Sequence, residues 1–107
     1  MSRRRKFRLG LAILGWAASG PATGAAESSA TVTIQNFSFE PQVVTVAPGT
    51  QVTWTNRDPG AHALVGRGFR SPHLDSNTSF SFTFRKPGTY EYYCPIHPQM
   101  RGGVVVK

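Results

Sequence analysis

From Thr31 onward, apolar and polar residues alternate with period two through most of the chain, and this limits the fold more than any other feature. "TVTIQ" puts Val32 and Ile34 on one face, and "QVTWT" does the same for Val52 and Trp54. "FSFTF" sets Phe80, Phe82 and Phe84 opposite Ser81 and Thr83. "TYEYYC" aligns Tyr90, Tyr92 and Cys94, and "VVV" at Val104 to Val106 closes the chain. The runs are short, β-branched or aromatic, and are broken by "PGT" at Pro48 and "KPG" at Lys86. Such a pattern predicts an all-β sandwich or barrel, since each strand can bury only one face. No segment holds a helical period. Residues 57–76, with scattered Gly, Pro and Asp, read as the irregular part.

The first 26 residues have a different composition. Arg3, Arg4, Arg5, Lys6 and Arg8 precede the apolar run "LGLAILGWAA" and the small-residue run "SGPATGAA". A basic start, a short apolar stretch and small residues are the parts of a secretory signal peptide. The apolar run is too short for a comfortable membrane span. Cleavage is expected after Ala25 or Ala26, leaving residues 27–107 as one domain in the periplasm, with no stable membrane insertion. "RRKF" at Arg4 resembles the twin-arginine export signal, with Arg8 where that signal prefers an apolar residue. The formal charge of +7 on the whole chain belongs mostly to this leader. Residues 27–107 hold seven Lys/Arg against five Asp/Glu, a net of +2. No basic stripe with interleaved aromatics remains to suggest nucleic acid.

Export changes the meaning of the single cysteine. Cys94 cannot form an internal disulfide, and a lone thiol in an oxidising compartment must be buried, paired between chains or bound to metal. It stands in "YYCPIHPQM", where Cys94, His97 and Met100 are spaced Cys-x-x-His-x-x-Met. Cys94 ends a strand on its inward face and the next strand begins near Gly102, so the loop must turn back sharply. Thiolate, imidazole and thioether are soft donors that suit copper; a thioether adds little for zinc. A blue-copper site also needs a second imidazole. His73, in the polar turn "RSPHLDS", reads as a solvated residue. His62, just beyond the Trp54 strand, is the expected nitrogen ligand. Met100 as ordinary core packing and Cys94 as an inert buried thiol are the competing reading. It must explain why all three donor types fall within one short loop.

These residues resemble the cupredoxins, the small blue copper proteins that include plastocyanin, pseudoazurin and amicyanin. The resemblance runs from about Thr31 to Lys107. It is carried by "FSFEPQVVTVAPGTQVTWTN", by His62 and by "PGTYEYYCPIHPQMRGGVVV". The two-residue spacers on either side of His97 are similar to the short ligand loop of amicyanin. The resemblance implies a Greek-key β-sandwich with one type 1 copper near one end. It makes His62, Cys94 and His97 the strong ligands and Met100 the axial one. Two positions depart from the family pattern. Ala63 stands where many members have Asn after the first ligand histidine, and Pro95 where Ser or Thr often follows the cysteine. Polar groups there help to tie and orient the ligand loops.

The expected function is single-electron shuttling as a monomer between a donor and an acceptor redox protein. Docking is expected to be transient, at an apolar rim of Pro95, Ile96 and Pro98 around His97. The alternative is a module that stores or delivers copper. An enzyme is not expected, because the ligand set fills the site and no second histidine cluster remains to hold an open metal position. A metal-free β interaction domain is a further alternative, which metal analysis would exclude.

Overall fold

The period-two segments become strands. The computed structural model describes residues 28–107, and the expected export segment, residues 1–26, lies outside the described residues. Among the described residues nine strands follow in order: β1 (Ser29–Gln35), β2 (Ser38–Glu40), β3 (Val43–Val46), β4 (Thr50–Asn56), β5 (Val65–Gly66), β6 (Phe69–Arg70), β7 (Ser79–Phe84), β8 (Gly88–Tyr93) and β9 (Arg101–Val106). They form two sheets, ordered β2-β1-β4-β7 and β3-β9-β8-β5-β6. The chain crosses repeatedly from one sheet to the other. β1 therefore lies parallel to β4, and β3 parallel to β9, among otherwise antiparallel pairs. This is an all-β sandwich, one of the two architectures that the alternation allows and the one that the resemblance implies.

The inward residues are those the alternation selects. Val32, Ile34, Val52, Trp54, Phe84, Tyr92, Val104 and Val106 are buried. Trp54 is the centre of an aromatic cluster. Phe69 stacks on it at 5.6 Å between ring centroids, and Tyr92 meets it edge-on at 5.4 Å. Phe80 and Phe82 share the face of Phe84 but are only partly buried, because β7 is an edge strand. Close packing of Tyr92 requires Gly102 on the neighbouring β9. A β-carbon there would lie 2.6 Å from the tyrosine ring and 3.0 Å from the Gln42 carbonyl oxygen. The turn into β4 follows its sequence. Pro48 and Gly49 take the two corners between Ala47 and Thr50, with the Thr50 N–H donating to the Ala47 carbonyl at 3.2 Å. Gly49 supplies the positive φ of 92° that a type II turn needs at its third position.

Residues 57–76 are less irregular than their composition suggests. They contain the two-residue strands β5 and β6, which extend the second sheet, and a bridge between His62 and Leu74. Runs this short carry no readable period. Their pairing comes from β8, which presents Tyr92 and Tyr93 opposite Gly66 and Val65.

Candidate metal centre

Four connections meet at one end of the sandwich: the β1–β2 turn, the β4–β5 segment, the β6–β7 segment, whose Leu74 bridges to His62, and, closing the group, the β8–β9 loop. The last is built almost entirely from local rules. The His97 N–H donates to the Cys94 carbonyl at 3.2 Å, and the Met100 N–H donates to the His97 carbonyl at 2.8 Å. These are two successive turns, and Pro95 and Pro98 occupy the second position of each. Proline favours that position because its ring sets φ and no N–H is needed there. A third bond, from the Cys94 N–H to the Met100 carbonyl at 3.1 Å, closes the loop. Pro95, a departure from the family pattern, is therefore a turn corner.

The β4–β5 segment brings in the second imidazole from 32 residues away. His62 is buried, and its Nδ1 lies 3.8 Å from Cys94 Sγ. One donor atom from each of His62, Cys94 and His97 falls within 4.8 Å of the others. Cys94 and Met100 are buried, His97 is half-buried, and the two imidazole rings are 5.1 Å apart. His73 is exposed and lies outside this group, as its solvated neighbours imply.

Three residues at this end were not singled out by sequence. Asn56 is buried and bonds three ways. Its amide donates to the Gly60 and Leu74 carbonyls at 2.9 and 2.8 Å, and its oxygen accepts the Asp58 N–H at 2.9 Å. Asp58 is buried, with Oδ2 2.9 Å from His62 Nε2. Its carboxylate also accepts the N–H groups of Asn36 and Phe37 at 2.7 and 2.9 Å. Burial works to raise its pKa, but the Phe37 N–H, the His62 ring and the Asn36 N–H together hold it below the ordinary aspartate value. Phe37 meets the His62 ring edge-on at 5.4 Å and the His97 ring at 4.9 Å. Only "NRDPGAH", with Asp four residues before His, hinted at part of this; nothing in the sequence linked Phe37 to the histidines.

The donors fit a soft metal ion. His97 Nδ1 is buried without a hydrogen-bond partner, an arrangement that normally costs stability unless something else binds there. His62 Nε2 is occupied by Asp58, which leaves Nδ1 available on the side facing the cysteine. The thiol that joins these nitrogens is fully buried.

Comparison with known proteins agrees. The family model described as a cupredoxin-like domain matches residues 8–106. The chain belongs to the cupredoxin-like family. Among curated relatives of this cupredoxin, amicyanin-alpha of Methylorubrum extorquens is 37% identical over 86 residues, which is 74% of this chain and 72% of that protein. Amicyanin of Paracoccus denitrificans is 34% identical over 89 residues, covering 77% and 68%. Among solved structures, an amicyanin variant in its reduced state superposes with a TM-score of 0.71 at 34% identity, covering 74% of this chain and 82% of that one. A purple cupredoxin from Nitrosopumilus maritimus gives 0.70 at 31% identity, covering 73% and 99%. This cupredoxin is thus amicyanin-like, as the short spacers of its cysteine loop imply. The cofactor that this family and this donor set specify is one type 1 copper per chain.

Proposed function

We propose that the protein is a periplasmic carrier of single electrons between redox partner proteins, with His62, Cys94 and His97 as strong copper ligands and Met100 as the weak axial one. The observation that carries this reading is the convergence of two imidazoles and one buried thiol within 4.8 Å. Copper held there supplies one-electron exchange between Cu(I) and Cu(II). The chain's own part is to keep the donors still. Cys94 and Met100 are fixed by a loop whose backbone closes on itself, and His62 is fixed by Asp58. Little rearrangement of the donors on electron exchange favours a fast carrier, and a weak axial thioether tunes the potential without being needed to hold the metal.

His97 is the proposed electron port. It alone among the four donors is half-exposed, and Pro95, Ile96 and Pro98 around it are exposed. Ile96 is 40% exposed, and with the exposed Phe37 it gives an apolar surface beside His97 that suits brief docking. Phe37, 56% exposed beside His97, extends that apolar rim. Burial of Cys94, His62 and Met100 argues for retention of the metal rather than hand-over, and so for a carrier over a delivery module. We read the protein as a carrier and not a catalyst, since one ion would engage every strong donor.

Optical and EPR spectra with added copper, followed by redox titration, test this. The expected result is one copper per chain, an intense visible thiolate-to-copper band and a reversible one-electron couple. A colourless copper complex, or none, would defeat the reading. Export through cleavage after Ala25 or Ala26 is tested by the intact mass of natively expressed protein. A full-length chain retaining Trp16 would point to a membrane anchor.

A further inference from the structure

We propose that Asp58 is a positioning residue that sets both the His62 donor and an aromatic cover, Phe37, over the two imidazoles. The inference rests on the copper reading above and adds to it how the histidine side of the site is held.

Asp58 accepts three N–H groups from two places in the chain: Asn36 on Oδ1 and Phe37 on Oδ2 from the β1–β2 turn, and His62 Nε2 on Oδ2. An ionised carboxylate can only accept, so the His62 proton must sit on Nε2. Nδ1 then keeps its lone pair, and Nδ1 is the atom facing Cys94 Sγ at 3.8 Å. A carboxylate on the far nitrogen also makes the ring a stronger donor.

The same carboxylate shapes the β1–β2 turn. Asn36 and Phe37 have φ of 55° and 57°, left-handed values that side chains other than glycine rarely adopt. Successive N–H groups in such a turn converge on an anion, and Asp58 is that anion. The turn places a largely exposed phenylalanine edge-on against both imidazoles. Core packing does not account for a residue so placed. Ala63 beside His62 and Pro95 beside Cys94 carry no polar side chain that could join the two loops. Among the described residues, no side-chain hydrogen bond joins the segment 57–64 to the loop 94–100 except the His62–Cys94 contact itself. Phe37, latched by Asp58, spans that gap.

Two measurements test the proposal. Nitrogen NMR of the metal-free protein should show His62 as the Nε2–H tautomer; an Nδ1–H ring would overturn it. Copper binding and potential are then compared across the wild type, Asp58→Asn, Asp58→Glu and Phe37→Ala. Asparagine has one acceptor oxygen for three donors, so Asp58→Asn should weaken copper binding by roughly 10–100-fold. It should also raise the reduction potential, because a negative charge near the ring favours the more positive oxidised centre. Asp58→Glu should recover part of both. Phe37→Ala should keep the His62 tautomer and speed copper loss. An Asp58→Asn protein with wild-type affinity and potential would sink the idea. If Asp58→Asn fails to fold, the wild-type tautomer still decides. If the wild type binds no copper, the functional reading fails, and the tautomer judges Asp58 on its own.

Discussion

The two halves of the metal centre are assembled in opposite ways. The cysteine half, Cys94 to Met100, is closed by three backbone bonds within seven residues, with a proline at one corner of each turn. The histidine half depends on distant chain. His62 pairs with Leu74 across a bridge, Asn56 donates to Leu74, and Asp58 reaches back more than twenty residues to the β1–β2 turn. A local loop loses little entropy on closing and tolerates change at its exposed corners. A half held by buried, long-range polar bonds fails where one partner is removed, because the others are left unsatisfied. The difference explains why a small sandwich can hold its ligands still without a disulfide: one half is rigid by sequence and the other by burial.

The largest expected effect breaks the cysteine half at its chemistry. Cys94→Ser should abolish the visible copper band, since no other thiol is present, and absorption spectroscopy decides it. The contrast is His73→Ala, which should leave the spectrum unchanged because His73 is exposed and outside the donor group. A band that survives the serine change would remove Cys94 from the site.

Next comes the histidine half. Asn56→Ala deletes three side-chain hydrogen bonds, two of them buried, and leaves the Gly60 and Leu74 carbonyls without that donor. A loss of about 3 kcal/mol is expected in denaturant unfolding of the metal-free protein. A loss below about 1 kcal/mol would mean that this half does not depend on long-range bonds as described.

Met100 tests a smaller effect within the cysteine half. Met100→Leu keeps the buried volume and removes only the weak sulfur donor, so copper should stay bound and the potential should rise. Complete loss of copper, measured by metal analysis, would make Met100 a structural ligand.

The smallest expected effect falls on the loop corners. Pro95→Ala removes no hydrogen bond, because proline has no N–H to donate. It gives the unfolded chain more freedom, and a loss of about 0.4–1 kcal/mol is expected with the visible band retained. If Pro95→Ala costs as much as Asn56→Ala, the contrast between a local and a non-local half collapses.

Much of this was written in the order of residues. Alternation with period two determines a sandwich because a strand in water can hide only one face, and it selected Val32, Ile34, Val52, Trp54 and Tyr92 correctly. The spacing of Cys94, His97 and Met100 determines a donor set because two β-turns fit between them, so neighbours in sequence become neighbours in space. His62 was reached by chemical need, as the missing nitrogen, rather than by any local pattern. Tertiary structure alone decided the rest. The pairing of β5 and β6, too short to carry a period, comes from β8 beside them. The triple role of Asn56, the grip of Asp58 on His62 and the seating of Phe37 over both rings join positions 4 to 60 residues apart. Hydrogen bonds and ring contacts act over a few ångströms, and over such chain separations only the folded path brings the partners within that range.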